Sequence, residues 1–188
     1  MKTSGKVKAT ELRQLIKERR ATAFTLEGDK WSWDGYPLAV GTEYVLFHAL
    51  EDFHLDGYCC LKMSHLSCVR PRNGRVQRIL KSEGIKDAVG IDLGVDLSGT
   101  RQVLRSLRGL GTLIIVDFDF VDDPFCHVGK PVRLNKETFS FMGVNTAGVW
   151  WDRPRTRIPY ADVSAIRFGC EYADVYTRYA RERRRRSA

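Results

Sequence analysis

The feature that most constrains the fold is a spacing of apolar residues that occurs twice in the chain. The first copy has apolar residues at positions 61, 63, 66 and 69, after a strand-like segment and a polar turn, and the second copy repeats this spacing 97 positions later. The matched residues are Leu61 and Ile158, Met63 and Tyr160, Leu66 and Val163, and Val69 and Ile166. Because equal spacing buries equal faces, the sequence predicts an internal duplication, with the Leu, Ile and Val members of these pairs buried.

Helical periodicity flanks both copies. Thr10 is a candidate N-cap, and Leu12, Leu15 and Ile16 follow it at the spacing of one helical face. Each half is therefore predicted as a helix, about five short strands and a second helix, which makes the chain a mainly β protein with flanking helices (α+β). The predicted boundaries are 10–85 for the first unit, 86–97 for a linker, 98–180 for the second unit and 181–188 for a basic tail.

This order of elements resembles the Sm-like small-barrel superfamily over about residues 10–70 and 99–168. Sm-like proteins carry an Asp-x-x-Met-Asn signature, whereas the corresponding positions here read Glu51-Asp-Phe-His54 and Met142-Gly-Val-Asn145. They also carry an Ile-Arg-Gly-like turn, of which Val69-Arg70-Pro71 is a partial counterpart. The resemblance implies two tandem Sm-like small barrels, each helix–five strands–helix. It favours RNA as a ligand but assigns no RNA-binding residues.

The composition excludes several classes of protein. No run of about 18 apolar residues occurs, so no membrane-spanning helix is predicted. The first eight residues lack the apolar region of a secretory signal. The five cysteines are odd in number, Cys59 and Cys60 are adjacent, and no C-x-x-C occurs. These observations favour a reduced, cytoplasmic protein.

The net charge of +8 is concentrated in three segments, 1–20, 70–86 and 181–188, while the rest of the chain is mildly acidic. Basic segments at the periphery can attract a polyanion such as RNA. The alternative is that they are ordinary solvated helices and a solvated tail.

The strongest candidate binding site combines aromatic and basic residues. Trp150 and Trp151 are followed by Arg153, Arg155 and Arg157 at alternating positions. In a strand, the three arginines would form one basic stripe, and indole rings stack on unpaired bases. The alternative is that one Trp belongs to the core, the other covers a sheet edge, and the Arg stems lie along apolar surface.

A metal site is a weaker candidate. Asp117 and Asp119 share one face of a predicted strand, and Asp122 and Asp123 follow in a turn. Clustered carboxylates suit a hard cation such as Mg²⁺, but a solvent-facing strand and a polar turn would look the same.

The histidines and cysteines suggest no other site. The first half contains His48, His54, His65 and Cys68, of which only His65 and Cys68 have metal-ligand spacing. Cys126 and His127 are adjacent, so their side chains should diverge in a strand. No phosphate-binding loop or cofactor motif is present.

Three functions remain open on these grounds. The first is a non-catalytic adaptor that binds an unknown protein partner through edge strands and helices. The second is a binder of RNA or other single-stranded nucleic acid that uses Trp150, Trp151 and the basic segments. The third is a metal-dependent hydrolase at Asp117 and Asp119. None of the three involves a membrane or an organic cofactor.

Overall fold

The structure, a computed structural model, describes residues 7–28 and 32–181. The chain divides into two compact units, Met1–Gly99 (unit 1) and Thr100–Ala188 (unit 2). In the described part of the chain, no helix is long and apolar enough to cross a membrane.

Over its described residues, unit 1 contains three helices and five strands. Its elements are α1 (Ala9–Glu18), β1 (Thr22–Leu26), β2 (Ser32–Val40), β3 (Tyr44–Glu51), β4 (His54–Lys62), a 3-10 turn (Met63–His65), β5 (Leu66–Pro71), α2 (Gly74–Ser82) and α3 (Ile85–Ala88). Helix α1 buries Leu12 and Leu15, and Arg19 ends it in the left-handed region with a φ of 48°. Strand β1 buries every second residue, as a half-buried strand should.

The strands of unit 1 pair in the order β5-β1-β2-β3-β4, and the pairings are antiparallel. Strand β3 lies very close to β2 at Gly35. A Cβ at this position would lie 2.4 Å from the Phe47 ring and 2.5 Å from the His48 carbonyl oxygen. Only glycine leaves room for Phe47 there, and the Phe47 ring stacks on Phe24 with centroids 4.5 Å apart.

The described part of unit 2, which ends at residue 181, contains two helices and five strands. Its elements are α4 (Thr100–Leu107), β6 (Ile114–Phe118), β7 (Phe125–Leu134), β8 (Thr138–Val144), β9 (Arg155–Pro159), a 3-10 turn (Tyr160–Asp162), β10 (Ala165–Phe168) and α5 (Glu171–Tyr179). The strands pair in the order β10-β6-β7-β8-β9, again antiparallel. Helix α4 buries Val103, Leu104 and Leu107 on one face.

The prediction of two tandem Sm-like barrels from an internal duplication is wrong. Within the described residues, the five strands of each unit form an open antiparallel sheet. A closed barrel needs its first and last strands to pair. In unit 1 those strands are β5 and β4, and in unit 2 they are β10 and β9, which lie at opposite ends of the pairing order. Apolar spacing predicts which residues of a strand are buried, but it does not determine which sheet edges meet.

The predicted core residues are mostly confirmed. Five of the six are buried, with at most 5% of the residue exposed: Leu61, Leu66, Val69, Val163 and Ile166. The exception is Ile158, which is only partly buried. It lies in β9, which is at one end of the unit 2 pairing order, so fewer neighbours cover it.

The predicted linker and the first residue of the predicted tail form backbone hydrogen bonds within the two units. Residues 86–97, predicted as a linker, fall within unit 1, where the Leu97 carbonyl oxygen accepts the N–H groups of Glu43 (3.3 Å) and Tyr44 (3.2 Å). Of the predicted tail, Arg181 donates its N–H to the Gly148 carbonyl oxygen at 3.0 Å. Residues 182–188 lie outside the described residues.

Candidate nucleic-acid interface

A tight turn between β8 and β9 positions the two tryptophans. The side-chain oxygen of Asn145 accepts the N–H groups of Ala147 and Val149, each at 3.0 Å. This Asx-type turn is completed by Gly148, which has a φ of +70°. The chain then returns along β8, where Trp151 donates its backbone N–H to the Gly143 carbonyl oxygen at 2.9 Å.

The indole of Trp151 lies against the backbone of β8. A Cβ on Gly143 would lie 2.4 Å from the indole, so the ring occupies the space of the missing side chain. The Trp151 indole and the imidazole of His127 in β7 meet edge to face, with ring centroids 4.9 Å apart and an angle of 87° between the ring planes. Glycine at position 143 therefore determines where the indole sits.

Arg155 connects the aromatic residues of this site. Its guanidinium carbon lies 5.8 Å from the ring centroids of both Trp151 and Phe125. Its Nη1 lies 3.1 Å from His127 Nε2. Because a guanidinium only donates, Nε2 must accept, which places the proton of a neutral imidazole on Nδ1. That nitrogen lies 3.1 Å from the Cys126 carbonyl oxygen, to which it donates.

His127 is held neutral by its surroundings. Burial and, to a smaller extent, the Arg155 charge lower the pKa of His127 from its ordinary 6.5 to about 4, while the Cys126 carbonyl partly opposes the change. A neutral imidazole lets the Arg155 cation remain within the aromatic cluster without repulsion.

This lowered pKa predicts a pH-dependent stability. The unfolded chain takes up a proton at His127 as the pH falls through 6.5, whereas the folded chain does so only near 4. The stabilisation is therefore present above pH 6.5 and is lost as the pH falls to about 4. We expect a loss of about 1 to 2 kcal/mol after allowing for solvent screening. Chemical denaturation across this range should show it, and His127→Gln should lack this component.

Trp150 has a different environment. Its ring packs against a buried cluster consisting of Leu113, Ile115, Val128, Val144, Cys170 and Ala173. The Nζ of Lys130 lies 5.1 Å from the Trp150 ring centroid. Trp150 is half-buried, so one part of the ring belongs to the core and another part lines the surface.

The tryptophans and two of the arginines border an open groove of about 1000 Å³, here named the Trp/Arg groove. Its polar and aromatic lining consists of Asn145, Trp150, Trp151, Asp152, Arg153, Arg155 and Thr156. Arg157 is exposed but does not line the groove, and its φ is 60°. The structure thus brings Arg153 and Arg155 together with both indoles and leaves the third predicted arginine outside.

Sequence reasoning missed three residues of this site: Phe125, His127 and Lys130. In the sequence, His127 stands out only as a neighbour of Cys126. The alternation of Phe125 and His127 in β7 was an available signal, because it places both rings on one face. Their contact with Arg155, 28 residues or more along the chain, follows from strand pairing and could not be read from spacing.

The predicted acidic site is occupied by other protein groups. Arg167 donates to both carboxylate oxygens of the buried Asp117, at 2.8 and 2.9 Å. Ser164 donates to Asp119 at 2.6 Å. Burial raises the pKa of Asp117, and Arg167 offsets part of that effect. Among the described residues, no group of three or more His, Cys, Asp or Glu side chains could hold a metal ion.

His48 has a structural role in unit 1. Its Nδ1 accepts the N–H of Gly90 at 3.0 Å, and its ring stacks on Tyr58 with centroids 4.5 Å apart. Burial lowers the pKa of His48. The acceptor role requires an unprotonated Nδ1, which agrees with a lowered pKa.

No known protein family, curated protein or solved structure matches this chain. The comparisons therefore lend no support to the Sm-like resemblance, and only the geometry of the site bears on function.

Proposed function

We propose that unit 2 binds single-stranded nucleic acid, with RNA as the first candidate, through the Trp/Arg groove. The observation that carries the proposal is the placement of two adjacent half-buried indoles and two exposed arginines along one open groove. Exposed ring surface can stack on unpaired bases, at roughly 1–3 kcal/mol per base. Arginines beside the stacking surface can contact phosphates.

The charge of unit 2 supports an anionic ligand. Residues 100–188 contain sixteen Lys and Arg against ten Asp and Glu, so most of the chain's net charge of +8 lies in this half. A positive surface concentrates a polyanion and speeds its encounter with the protein. Half of this excess, four Arg against one Glu, lies in the segment 182–188, which is outside the described residues.

The direct test is fluorescence anisotropy of labelled single-stranded RNA at two salt concentrations. Arg153→Gln should weaken binding and flatten the salt dependence, by a slope of about 0.7 per lost phosphate contact. Trp151→Ala should weaken binding by roughly tenfold or more while the salt slope stays nearly intact. The two variants therefore separate phosphate contact from stacking.

Arg133→Gln is the matched control, because it removes one exposed positive charge from unit 2 outside the groove. It should weaken binding less than Arg153→Gln. Equal losses from the two arginine variants would mean that RNA is attracted by net charge alone. No measurable binding by the wild-type chain at low salt would reject the proposal.

A second candidate function is a non-catalytic adaptor that binds another protein. Helix α5 buries Ala173, while Tyr172, Val175 and Tyr179 are 52%, 38% and 71% exposed on its outer side. Exposed aromatic residues are enriched at protein interfaces. This candidate takes precedence if the RNA titration is negative.

The third candidate, a metal-dependent hydrolase at Asp117 and Asp119, gains no support from the contacts of these two carboxylates with Arg167 and Ser164.

For the cellular compartment we propose the cytoplasm. All five cysteines are free, and three of them, Cys59, Cys60 and Cys170, are buried. Free buried thiols are compatible with a reducing environment.

A further inference from the structure

Unit 1 contains a small cavity that shares no lining residue with the Trp/Arg groove. It has a volume of about 180 Å³ and lies between the end of α1, the middle of β2 and the segment 89–92. Its lining is mainly apolar: Ile16, Pro37, Leu38, Val89 and Ile91. Tyr36, Arg19, Gly90 and Asp92 complete it.

The phenol of Tyr36 is the unusual group in this lining. Tyr36 is 1% exposed, and its hydroxyl oxygen has no hydrogen-bond partner among the described residues. Burial raises the pKa of Tyr36, so the phenol stays protonated and can donate. A buried hydroxyl without a partner is unfavourable and uncommon in native proteins. A partner from outside the chain would remove this cost.

Arg19 brings positive charge to the same place. Its Nη2 donates to the carbonyl oxygens of Lys86 (3.3 Å) and Val89 (3.5 Å), which ties the segment after α3 to the end of α1. In the described part of the chain, its Nε and Nη1 make no hydrogen bond. The Arg19 charge acts on the Tyr36 hydroxyl, whose pKa it lowers against the larger effect of burial. A protonated phenol and a guanidinium are thus available close to one another.

We propose that this cavity binds a small carboxylate with an apolar body. The carboxylate would accept from the Tyr36 hydroxyl and from Arg19, and the apolar body would lie against Ile16, Leu38 and Val89. Asp92 also lines the cavity, but its Oδ1 accepts the N–H of Gly94 at 2.9 Å and so faces its own loop. Two donors at one end of an apolar cavity match a ligand with one anionic end.

A ligand would reach the Tyr36 hydroxyl through the part of the wall formed by residues 89–92. The Tyr36 oxygen is covered in this structure, so a ligand must displace part of the lining to reach it. Residues 89–92 form neither helix nor strand, and Ile91 is 74% exposed. Val89 is buried and Gly90 donates to His48, whereas the Ile91 side chain has little packing to lose, so Ile91 is the part of the wall that yields.

The test uses the full chain, with benzoate as the probe and benzamide and toluene as comparators. We expect benzoate to bind with a dissociation constant on the order of millimolar, measured by saturation-transfer NMR and calorimetry. Benzamide, which lacks the negative charge, should bind at least about tenfold more weakly than benzoate. Toluene should show no measurable binding. Tyr36→Phe should weaken benzoate binding by about tenfold or more.

Stability separates this role of Tyr36 from a structural one. Because the hydroxyl has no hydrogen-bond partner among the described residues, Tyr36→Phe should leave the Tm unchanged or raise it. Tyr44→Phe is the matched control, since Tyr44 is equally buried in unit 1 but does not line the cavity. It should leave benzoate binding unchanged. The proposal is overturned if toluene binds as well as benzoate, if Tyr36→Phe retains full affinity, or if that variant clearly lowers the Tm.

Discussion

Arg167→Met is expected to lower the free energy of unfolding by about 3 kcal/mol, since it leaves a buried carboxylate without its partner. Arg167 supplies two hydrogen bonds to Asp117, whose side chain is only 7% exposed. The Arg167 side chain is 32% exposed, so its own desolvation is incomplete and the expected loss is at the lower end for buried ion pairs. Urea denaturation of the variant and the wild type measures the difference.

Two further observations identify the cause of that loss. Replacing both partners with apolar residues, Asp117→Leu with Arg167→Met, should recover much of the stability, because no buried charge then remains. The deficit of the single variant should also shrink as the pH is lowered, because burial raises the pKa of Asp117 and a protonated carboxyl needs no cation. Arg133→Met, at an exposed position, should change stability little. If the free energy of unfolding of Arg167→Met at neutral pH equals that of the wild type, this account is contradicted.

Gly129→Ala is expected to cost about 3 kcal/mol or more, because the added methyl group meets backbone atoms. Gly129 lies in β7, opposite Ile114 of β6 and Gly143 of β8. A Cβ at this position would lie 2.0 Å from the Met142 carbonyl oxygen and 2.8 Å from the Gly143 Cα. These are backbone atoms of the neighbouring strand β8, so β7 and β8 would have to separate locally and lose hydrogen bonds.

Gly109→Ala provides the matched comparison for this substitution. Apart from its two chain neighbours, no described residue has an atom within 4 Å of a Cβ at Gly109, and the φ of Gly109 is outside the left-handed region. The exchange should therefore be neutral or slightly stabilising. Similar unfolding midpoints for Gly129→Ala and Gly109→Ala in thermal denaturation would show that β7 and β8 are less closely packed than the structure indicates.

The Trp/Arg groove depends on the same pair of strands. Gly143 leaves the space that Trp151 occupies, and His127 of β7 holds Arg155 beside it. The nucleic-acid proposal therefore requires an intact β7–β8 pairing. For this reason the binding variants Trp151→Ala and Arg153→Gln change side chains in the groove and leave the glycines in place.

The amino-acid sequence by itself determined most of the local structure. Helical spacing at Leu12 and Leu15 correctly predicted the buried face of α1, and the repeated apolar positions predicted core residues such as Leu61 and Ile166. The neighbouring Trp150 and Trp151 were visible as a binding candidate. These features depend on residues a few positions apart, where side-chain direction follows directly from helix or strand geometry.

Only the tertiary structure decided how these pieces meet. Each unit has an open sheet instead of the predicted barrel because closure depends on which strand edges pair, and local periodicity is the same in both cases. Asp117 is bound by Arg167, fifty residues away, which turned a candidate metal ligand into half of an ion pair. Arg155 joined Trp151 to His127, and Arg157, two positions along the chain, was left outside the groove. Contacts of this kind are set by strand register, which brings together residues whose separation in the sequence carries no signal.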